Sequence, residues 1–386
     1  MKKVLTALVC IVVCLLCFAC GKAGALLTGK TDDNATEQGD NAHSSATLPL
    51  DSNKEVSYPL NANGDPYTLS TYVGFIEFGC YPQTIAHHRA VAEMSQTTDS
   101  TGYYYSTWDN EHYAKITKAK VYGKRFKFTD ETLIAENETY YFKVEPIKWW
   151  VFFSGDMVGG AGGTVTLISD VILDSHEFCS DYTYDIFGDV SDVYYINDVT
   201  HNGQVVIANN WGYSDLRSWL NNDFLKKAFS VEQERLLCSR NTDFVTNVYK
   251  ADDATEKIWV PSSAEMLAYK TLFSSLTSSL AGHYAPYLAQ VSDYARCRDT
   301  FISIYPDYYG CGRYWTSTAI KPSDVKGVDD DKKAMVASYK AAFVACDNHD
   351  NSGAKGESVG SSYMGVRPVI CMYTGDVTSL LKDIEE

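Results

Sequence analysis

The sequence predicts an α+β domain with scattered strands, few helices and long irregular loops. Several short segments alternate apolar and polar residues, as half-buried strands do. Helical spacing is confined to three short segments. No repeat with a period of about 20–50 residues is present, which argues against a solenoid or a propeller.

The strongest strand signal is TYYFKVEPIKWWVFF, residues 139–153. Tyr140 and Phe142 share one face, and after Pro146 the odd-numbered residues from Ile147 onward alternate with Lys148, Trp150 and Phe152. Because proline has no N–H, we expect Pro146 to mark a break or an edge between two strands. Shorter strands are predicted at TVTLISDVIL (164–173), QVVIA (204–208), KIWVP (257–261), RYWTSTA (313–319), AAFVAC (341–346) and VRPVICM (366–372).

Three helices are predicted from caps and spacing. SDLRSWLNNDFLKKAF, residues 214–229, keeps apolar residues at helical intervals, with Ser214 and Asp215 at its start. Ser230 and Gln233 form a capping-box pattern that opens a short helix through Leu237. Residues 262–265, Ser-Ser-Ala-Glu, open the third helix.

The start of the sequence is typical of an export signal. Two lysines precede an apolar run that ends at Ala19-Cys20-Gly21, too short for the roughly 20 residues of a membrane span. The end of the run resembles the lipobox of bacterial lipoproteins, which implies lipid on the Cys20 thiol. Ordinary secretion with cleavage near Ala19 is the alternative. The resulting prediction is a lipid-anchored protein of the bacterial cell envelope, facing outside the cytoplasm.

Composition divides the rest of the chain. Residues 21–68 are polar and poor in aromatics, so we expect a flexible tether. Residues 69–375 are dense in aromatics and are predicted to form a single globular domain, followed by a tail at 376–386. The net charge of −16 argues against nucleic-acid partners, since phosphates call for a basic surface.

Seven cysteines follow Cys20, so at least one is unpaired within a monomer. None lies in a CxxC motif or at zinc-ligand spacing. The spacing leaves two alternatives open, buried free thiols and one or two disulfides.

Seven segments occur in a recognisable order: FGCYPQT (78–84), YFKVEPIKWWVF (141–152), LISDVILD (167–174), NNWGYSDLRSWLNNDFLKKAFS (209–230), KIWVPSSAEM (257–266), GRYWTST (312–318) and GVRPVICM (365–372). Over about residues 72–373 the chain resembles the bacterial family of domain of unknown function 6273. The resemblance implies a C-type-lectin-like fold, shared with the formylglycine-generating-enzyme superfamily. Within that resemblance, the segment 86–132 is longer than usual.

Catalytic chemistry finds little support in the sequence. A copper–thiol oxidase of formylglycine-generating type would use cysteines near the last strands, where Cys311, Cys346 and Cys371 lie, but Cys346 and Cys371 alternate with apolar residues as core cysteines do. No nucleophile elbow or metalloprotease helix is present. We therefore predict no catalytic residue and no cofactor, with a glycan hydrolase or the copper–thiol oxidase as the enzymatic alternative. Arg367 is expected to be structural, with Glu145 as a candidate partner.

Two acidic loops are the candidates for a metal site. Asp and Asn oxygens are natural ligands of calcium. The alternative is a solvated acidic surface, and no metal is predicted outright. The calcium candidates are Asp185, Asp189, Asp347 and Asp350.

Three tyrosine-rich runs among polar residues, expected in loops, lead to the functional prediction. Tyrosine offers contact area at low entropic cost together with a hydroxyl, so such runs suit protein contacts or stacking on sugar rings. We predict a non-catalytic module that binds glycan or protein ligands at the cell surface, with a structural envelope protein as a further alternative. The predicted ligand-binding residues are Tyr103, Tyr104, Tyr105, Trp108, Tyr194, Tyr195, Tyr308 and Tyr309.

Overall fold

A computed structural model describes residues 74–154 except 124–125, 164–185, 193–241 except 202, 255–276, 288–346, 356–373, 376–377 and 380–383. Cys20, the predicted tether and three of the calcium candidates (Asp189, Asp347 and Asp350) lie outside these residues. The described part is α+β, with mainly antiparallel sheets, a few short helices and long loops, which confirms the predicted class. None of its helices is long and apolar enough to cross a membrane.

The strands are short except for two long ones near the start. They are β1 (Gly74–Ile85), β2 (Tyr104–Ser106), β3 (Glu111–Ile116), β4 (Tyr140–Ser154), β5 (Thr164–Ser169), β6 (Asp174–Ser175), β7 (Tyr182–Asp185), β8 (Val193–His201), β9 (Gln204–Ile207), β10 (Arg240–Asn241), β11 (Thr255–Glu256), β12 (Ile258–Trp259), β13 (Tyr314–Ala319), β14 (Lys340–Val344), β15 (Gly356–Ser358), β16 (Gly365–Val366), β17 (Val369–Tyr373) and β18 (Leu381–Asp383).

The helices are α1 (His88–Ala92), α2 (Asp215–Trp219), α3 (Leu225–Ala228), α4 (Val231–Glu234), α5 (Ser263–Leu276), α6 (Asp293–Arg296) and α7 (Lys333–Ser338). A π-helical turn, Leu220–Phe224, joins α2 to α3. Short 3₁₀ turns are found at Trp211–Tyr213, Pro306–Tyr308, Pro322–Asp324 and Asp330–Lys332.

Two sheets carry most of the described strands. The larger runs β12-β17-β5-β4-β1-β18, with β3 added to β4 and β2 to β3, and its pairings are antiparallel. The smaller runs β15-β14-β13-β16-β6 and contains one parallel pairing, between β13 and β16. The early strands β1 and β4 therefore share a sheet with the late strand β17.

Pro146 does not break the strand that contains it, so of the two predicted alternatives the break is wrong and the edge holds on one side of β4. β4 runs continuously from Tyr140 to Ser154. Along one side, β3 pairs with β4 only as far as Lys143, and β5 begins to pair at Trp149. Pro146 falls in the gap between these two neighbours, so β4 has an edge there on this side, while on its other side Pro146 pairs with Cys80 of β1.

The predicted alternation along β4 fails at Phe152. Opposite β5, the register shifts between Val151 and Phe153, so β4 carries an extra residue there. Phe152, predicted on the face opposite Ile147 and Trp149, is instead buried in the core with them.

The predicted helix starts are confirmed by their hydrogen bonds. The Ser214 hydroxyl accepts from the Arg217 N–H at 3.2 Å and caps α2. Ser230 and Gln233 form a reciprocal capping box on α4, which ends at Glu234 rather than at Leu237. Before α5, the Ser262 N–H donates to Glu265 and the Ser262 hydroxyl accepts from the Glu265 N–H.

Arg367 is structural, as predicted, but its partner is not Glu145. The guanidinium is buried, and it donates to the Ser169 carbonyl at 2.8 Å and to the Tyr314 hydroxyl at 3.2 Å. Glu145 instead accepts from the Thr84 N–H on β1. The main core of the described residues includes Trp149, Trp211 and Trp315, each fully buried.

Gly79 provides a test of how β1 packs. Its φ is +69°, beside a register shift in β1, and a Cβ there would lie 2.6 Å from Phe229 Cε1 and 2.7 Å from the Ala228 carbonyl oxygen. We expect Gly79→Ala to lower the free energy of unfolding by about 2–4 kcal/mol, from left-handed strain plus overlap. Urea denaturation measures the loss.

Gly102 is the matched control for this substitution. Its φ is +84°, but a Cβ there would meet nothing within 4 Å. Gly102→Ala should therefore cost about 1–2 kcal/mol, from the backbone strain alone. Equal losses for the two variants would mean that Phe229 moves away and that the packing of β1 is not tight.

Candidate functional site

The three tyrosine-rich runs differ in structure, and two of them are strands rather than loops. Tyr104 and Tyr105 belong to β2, and Tyr194 and Tyr195 belong to β8. Strand pairing fixes each side chain to one face of a sheet, so neighbouring tyrosines have different surroundings. The prediction of three recognition loops is corrected in this respect.

The β8 tyrosines are largely accounted for by packing. The Tyr194 ring lies 4.8 Å from that of Tyr339 and 5.0 Å from that of Tyr184, and it is half-buried against the core. Its backbone N–H donates to the Ser338 hydroxyl at 2.8 Å. Tyr195, also half-buried, pairs with Ile207 of β9. Asp185 ends β7 opposite Val193, and its side chain is outside the described part.

The third run forms a turn that exposes apolar surface. Tyr308 lies in a 3₁₀ turn and is half-buried, whereas Tyr309 is exposed. Just before the turn, Ile304 is 70% and Tyr305 62% exposed, and both are among the most exposed large hydrophobic residues of the described chain. Two exposed residues, Ile304 and Tyr305, therefore precede the predicted pair Tyr308 and Tyr309.

The first run builds an aromatic surface on the β2–β3 hairpin. Trp108, in the hairpin turn, is 40% exposed and stacks on His87 at 4.9 Å with an interplanar angle of 19°. His87 caps α1, because its Nδ1 accepts from the Arg89 N–H, and its ring lies 4.1 Å from that of His88. The helix α1 therefore supports the exposed tryptophan from one side.

Polar groups lie on the same hairpin as this tryptophan. The Tyr105 hydroxyl donates to Asn110 Oδ1 at 2.8 Å, and His112 Nε2 lies 3.1 Å from Asp99 Oδ2. We call His87, Tyr105, Trp108, Asn110 and His112 the hairpin surface. It combines a stacking ring with hydroxyl, amide and imidazole groups, which is the chemistry that sugar recognition uses.

Two polar atoms of the same hairpin are buried and have no hydrogen-bond partner among the described residues, Tyr103 Oη and Asp109 Oδ1. The other oxygen of Asp109 accepts from the Tyr113 hydroxyl. Burial, with the charges of Cys80 and Asp99, raises the pKa of Tyr103 to about 12, so its hydroxyl stays protonated at neutral pH. Unpaired buried groups of this kind are costly in a folded chain.

Tyr104 faces the other side of the hairpin. Its ring meets that of Tyr141 edge-on at 5.4 Å, and Lys115 Nζ lies about equally far from both ring centres, at 5.6 and 5.5 Å. These contacts with Tyr141 and Lys115 give Tyr104 a packing role, which explains a tyrosine at this position without a ligand. Of the predicted residues, Trp108 contacts His87 and Tyr105 contacts His112, and neither histidine was predicted as a ligand-binding residue.

A second polar cluster, missed by sequence reasoning, is centred on Asp174. Its Oδ2 accepts from the Tyr81 hydroxyl at 2.5 Å, and its Oδ1 accepts from Arg298 Nε at 2.9 Å. Lys227 Nζ lies 4.9 Å above the Tyr81 ring and donates to the Tyr294 hydroxyl at 3.3 Å. Tyr81 and Asp174 belong to FGCYPQT and LISDVILD, two of the segments that carry the family resemblance. Membership of these segments is the one sequence feature that could have pointed to this cluster.

The Asp174 cluster is suited to holding β1 and β6 together rather than to transferring protons. Burial, followed by the charge of Asp174, raises the pKa of Tyr81 well above its ordinary value, and burial lowers the pKa of Lys227. The Asp174 carboxylate is only 2% exposed, and both its oxygens are already used by Tyr81, Arg298 and the Ser175 N–H. A substrate would have to displace one of these partners.

A third cluster surrounds the buried carboxylate of Glu256. It accepts from Trp211 Nε1 at 3.0 Å, from Arg217 Nε at 2.9 Å and from Arg240 Nε at 2.7 Å. The Arg240 guanidinium also lies 3.9 Å above the ring of Trp259. Buried ion pairs of this kind fix one arrangement of the segments that supply them.

The described thiols near the last strands are mostly poor nucleophiles. Cys311 and Cys346 are buried, and burial together with the charge of Cys346 raises the pKa of Cys311 to about 11. Cys371 lies apart from them, in the larger sheet. Among the described residues, no three His, Cys, Asp or Glu side chains come together where a metal ion could be held.

Comparison with known proteins gives one result. The sequence model of a family described as Domain of unknown function (DUF6273) matches residues 162–374, which is more than half of the 386-residue chain. No curated protein and no solved structure matches the chain. The match contains Asp174 and Glu256 but begins after β1 to β4, so the hairpin surface and Tyr81 lie before it. On the extent of this match, the chain belongs to the DUF6273 family.

Proposed function

We propose that the protein is an exported, lipid-anchored and non-catalytic module that binds a glycan on the hairpin surface. The observation that carries the proposal is Trp108, a 40% exposed ring that stacks on His87, on a hairpin that also carries hydrogen-bonding side chains. An exposed, pre-positioned aromatic ring loses little conformational entropy when a sugar stacks on it. Lipid attachment at Cys20 and a C-type-lectin-like form of the fold belong to the same proposal.

The position of the surface supports a role peculiar to this chain. The hairpin lies in segment 86–132, before the residues matched by the family, and it is joined to the rest through the β3–β4 pairing. Loops and insertions on a rigid scaffold are where binding residues concentrate. The raised pKa of Cys311 adds support for a non-catalytic protein over a thiol oxidase, because the protonated thiol is a weak nucleophile and a weak metal ligand.

A protein ligand is the second candidate, favoured by the exposed turn at 304–309. Ile304, Tyr305 and Tyr309 offer apolar contact area with little charge, which suits the centre of a protein interface. This turn is a different surface from the hairpin, so substitutions can separate the two candidates.

Trp108→Ala is the direct test of the glycan proposal. The purified full chain is applied to a glycan array, in calcium and then in chelator, and the affinity for each bound glycan is measured. We expect Trp108→Ala to weaken binding by about 2 kcal/mol, roughly 30-fold, because the stacking ring is removed. Binding that is lost in chelator would show that calcium is required, and it would make the calcium candidates Asp185, Asp189, Asp347 and Asp350 part of the binding proposal.

Tyr373→Ala is the matched control, since Tyr373 is an aromatic residue of similar exposure, 51%, at the end of β17. It should bind as the wild type does. Glycan binding that survives Trp108→Ala but is lost in Tyr305→Ser would reject the hairpin surface. An absence of glycan binding in both conditions would favour the protein ligand, to be sought by cross-linking at Tyr305.

A further inference from the structure

Cys238 and Cys371 oppose each other directly across two antiparallel segments. Leu237 and Met372 form an antiparallel bridge, and the Cys238 N–H donates to the Cys371 carbonyl oxygen at 2.7 Å. This register makes the two cysteines the next opposed pair. Directly opposed residues in an antiparallel pair have Cα atoms about 4.5–5.5 Å apart, which is within the range that a disulfide spans.

The two thiols also interact with each other. Side chains of directly opposed residues project to the same face, and the two thiols are close enough for hydrogen bonding between them to raise the pKa of Cys238 and lower that of Cys371. On the neighbouring strand β5, Thr166 lies opposite Cys371, and Thr164 and Thr166 also lower the pKa of Cys371 by hydrogen bonding.

This environment distinguishes Cys371 from the core cysteines. The Cys238 donor, followed by the two threonines and the positive charge of Arg240, lowers the pKa of Cys371 against the opposing effect of burial. Burial instead raises the pKa of Cys179, Cys297 and Cys311. Cys238 and Cys371 are both partly exposed, so a small reagent can reach them.

We propose that Cys238 and Cys371 form a reversible thiol–disulfide couple that reacts with small-molecule disulfides. The Cys371 thiolate attacks one sulfur of the reagent, forming a mixed disulfide and releasing one thiolate. Cys238 then loses its proton and attacks the Cys371 sulfur, releasing the second reagent thiolate. Two protein thiols are oxidised to one disulfide, the reagent disulfide is reduced to two thiols, and the protons pass to those thiols.

Once oxidised, the couple would be a covalent cross-link between two segments of the fold. The segment after α4 would be tied to β17, closing a long loop of chain that includes β13 and β14. Restricting the unfolded state in this way stabilises the fold, so oxidation should raise the Tm of the full chain by about 5 °C. The Cys238–Cys371 disulfide is independent of the hairpin surface and of any ligand bound there.

The test is to treat the full chain with oxidised glutathione, block remaining thiols with N-ethylmaleimide at low pH, and digest it with trypsin. Mass spectrometry should find the peptide 236–240 joined to the peptide 356–382, with the loss of two hydrogens, and dithiothreitol should separate them. Cys238→Ser should accumulate glutathione on Cys371, whereas Cys80→Ser should leave the cross-link intact. Cys238 and Cys371 recovered alkylated, or joined to other cysteines, would overturn the proposal.

The pH dependence of alkylation supplies a second readout. Because Cys238 is the largest influence lowering the pKa of Cys371, Cys238→Ala should raise that pKa and reduce the thiolate fraction at pH 7. We expect iodoacetamide to label Cys371 about 3- to 10-fold more slowly in this variant at pH 7, with the difference disappearing at high pH. Equal rates at pH 7 would show that Cys238 does not activate Cys371.

Discussion

Glu256→Gln is expected to lower the free energy of unfolding by about 3–5 kcal/mol, because it leaves two arginines beside a neutral side chain. The Glu256 carboxylate is fully buried, and Arg217 and Arg240 are only 15% and 16% exposed. Glutamine has nearly the same shape but keeps one acceptor oxygen, and its NH₂ group would face an arginine N–H. Urea denaturation followed by tryptophan fluorescence measures the loss, since Trp211 and Trp259 adjoin the cluster.

Glu234→Gln is the matched control, because it makes the same chemical change in an exposed ion pair. Glu234 lies 2.8 Å from Lys257 Nζ, and both side chains are about one-third exposed. Its loss should stay below about 1 kcal/mol. Similar losses in the two variants would mean that water reaches Glu256 and that the cluster is not a buried ion pair.

Elements that depend on local signals could be predicted from the sequence. Ser214, Ser230 and Ser262 cap helices through bonds to residues three positions on, so donor and acceptor are visible in one short window. The strand segments were also recognisable, because alternation is a property of consecutive residues. The α+β class follows from these elements alone.

Features that depend on a neighbouring strand could not be predicted. Pro146 remains within β4 because β3 ends before it and β5 begins after it, and Phe152 turns inward because of a bulge against β5. Neither partner strand is visible in the residues of β4. For the same reason, Tyr194 was expected in a loop, although pairing places it in β8.

The candidate sites show the same limit. Trp108 and Tyr105 could be proposed from composition, but the support from His87 depends on how α1 packs against the hairpin. The Cys238–Cys371 pair and the Glu256 cluster join residues far apart in sequence, and charge or cysteine spacing does not encode which of them meet. The Asp174 cluster is the exception, because Tyr81 and Asp174 both belong to segments that carry the family resemblance and could have been singled out for that reason.

The Asp174 cluster connects the part of the chain before the family match to the matched part. Tyr81 belongs to β1, and its hydroxyl reaches Asp174 across 93 positions of sequence. β1 also pairs with β4, which pairs with β5 in the matched part. If β1 is an integral part of one cooperative unit, then weakening this contact must destabilise the whole described domain rather than release β1 alone.

Asp174→Asn is therefore expected to lower the free energy of unfolding by about 2–4 kcal/mol in a single transition. The amide cannot replace a carboxylate that accepts from both Tyr81 and Arg298, and the loss is below that of Glu256→Gln because Arg298 is 43% exposed and can turn to water. Tyr81→Phe removes one of the two bonds and should cost about 1.5–3 kcal/mol. Because both substitutions act on the Tyr81–Asp174 bond, one by weakening its acceptor and the other by removing its donor, the double variant should lose less than the sum of the two. Additive losses would show that Tyr81 and Asp174 are not coupled, and two separate transitions would show that β1 folds apart from the family domain.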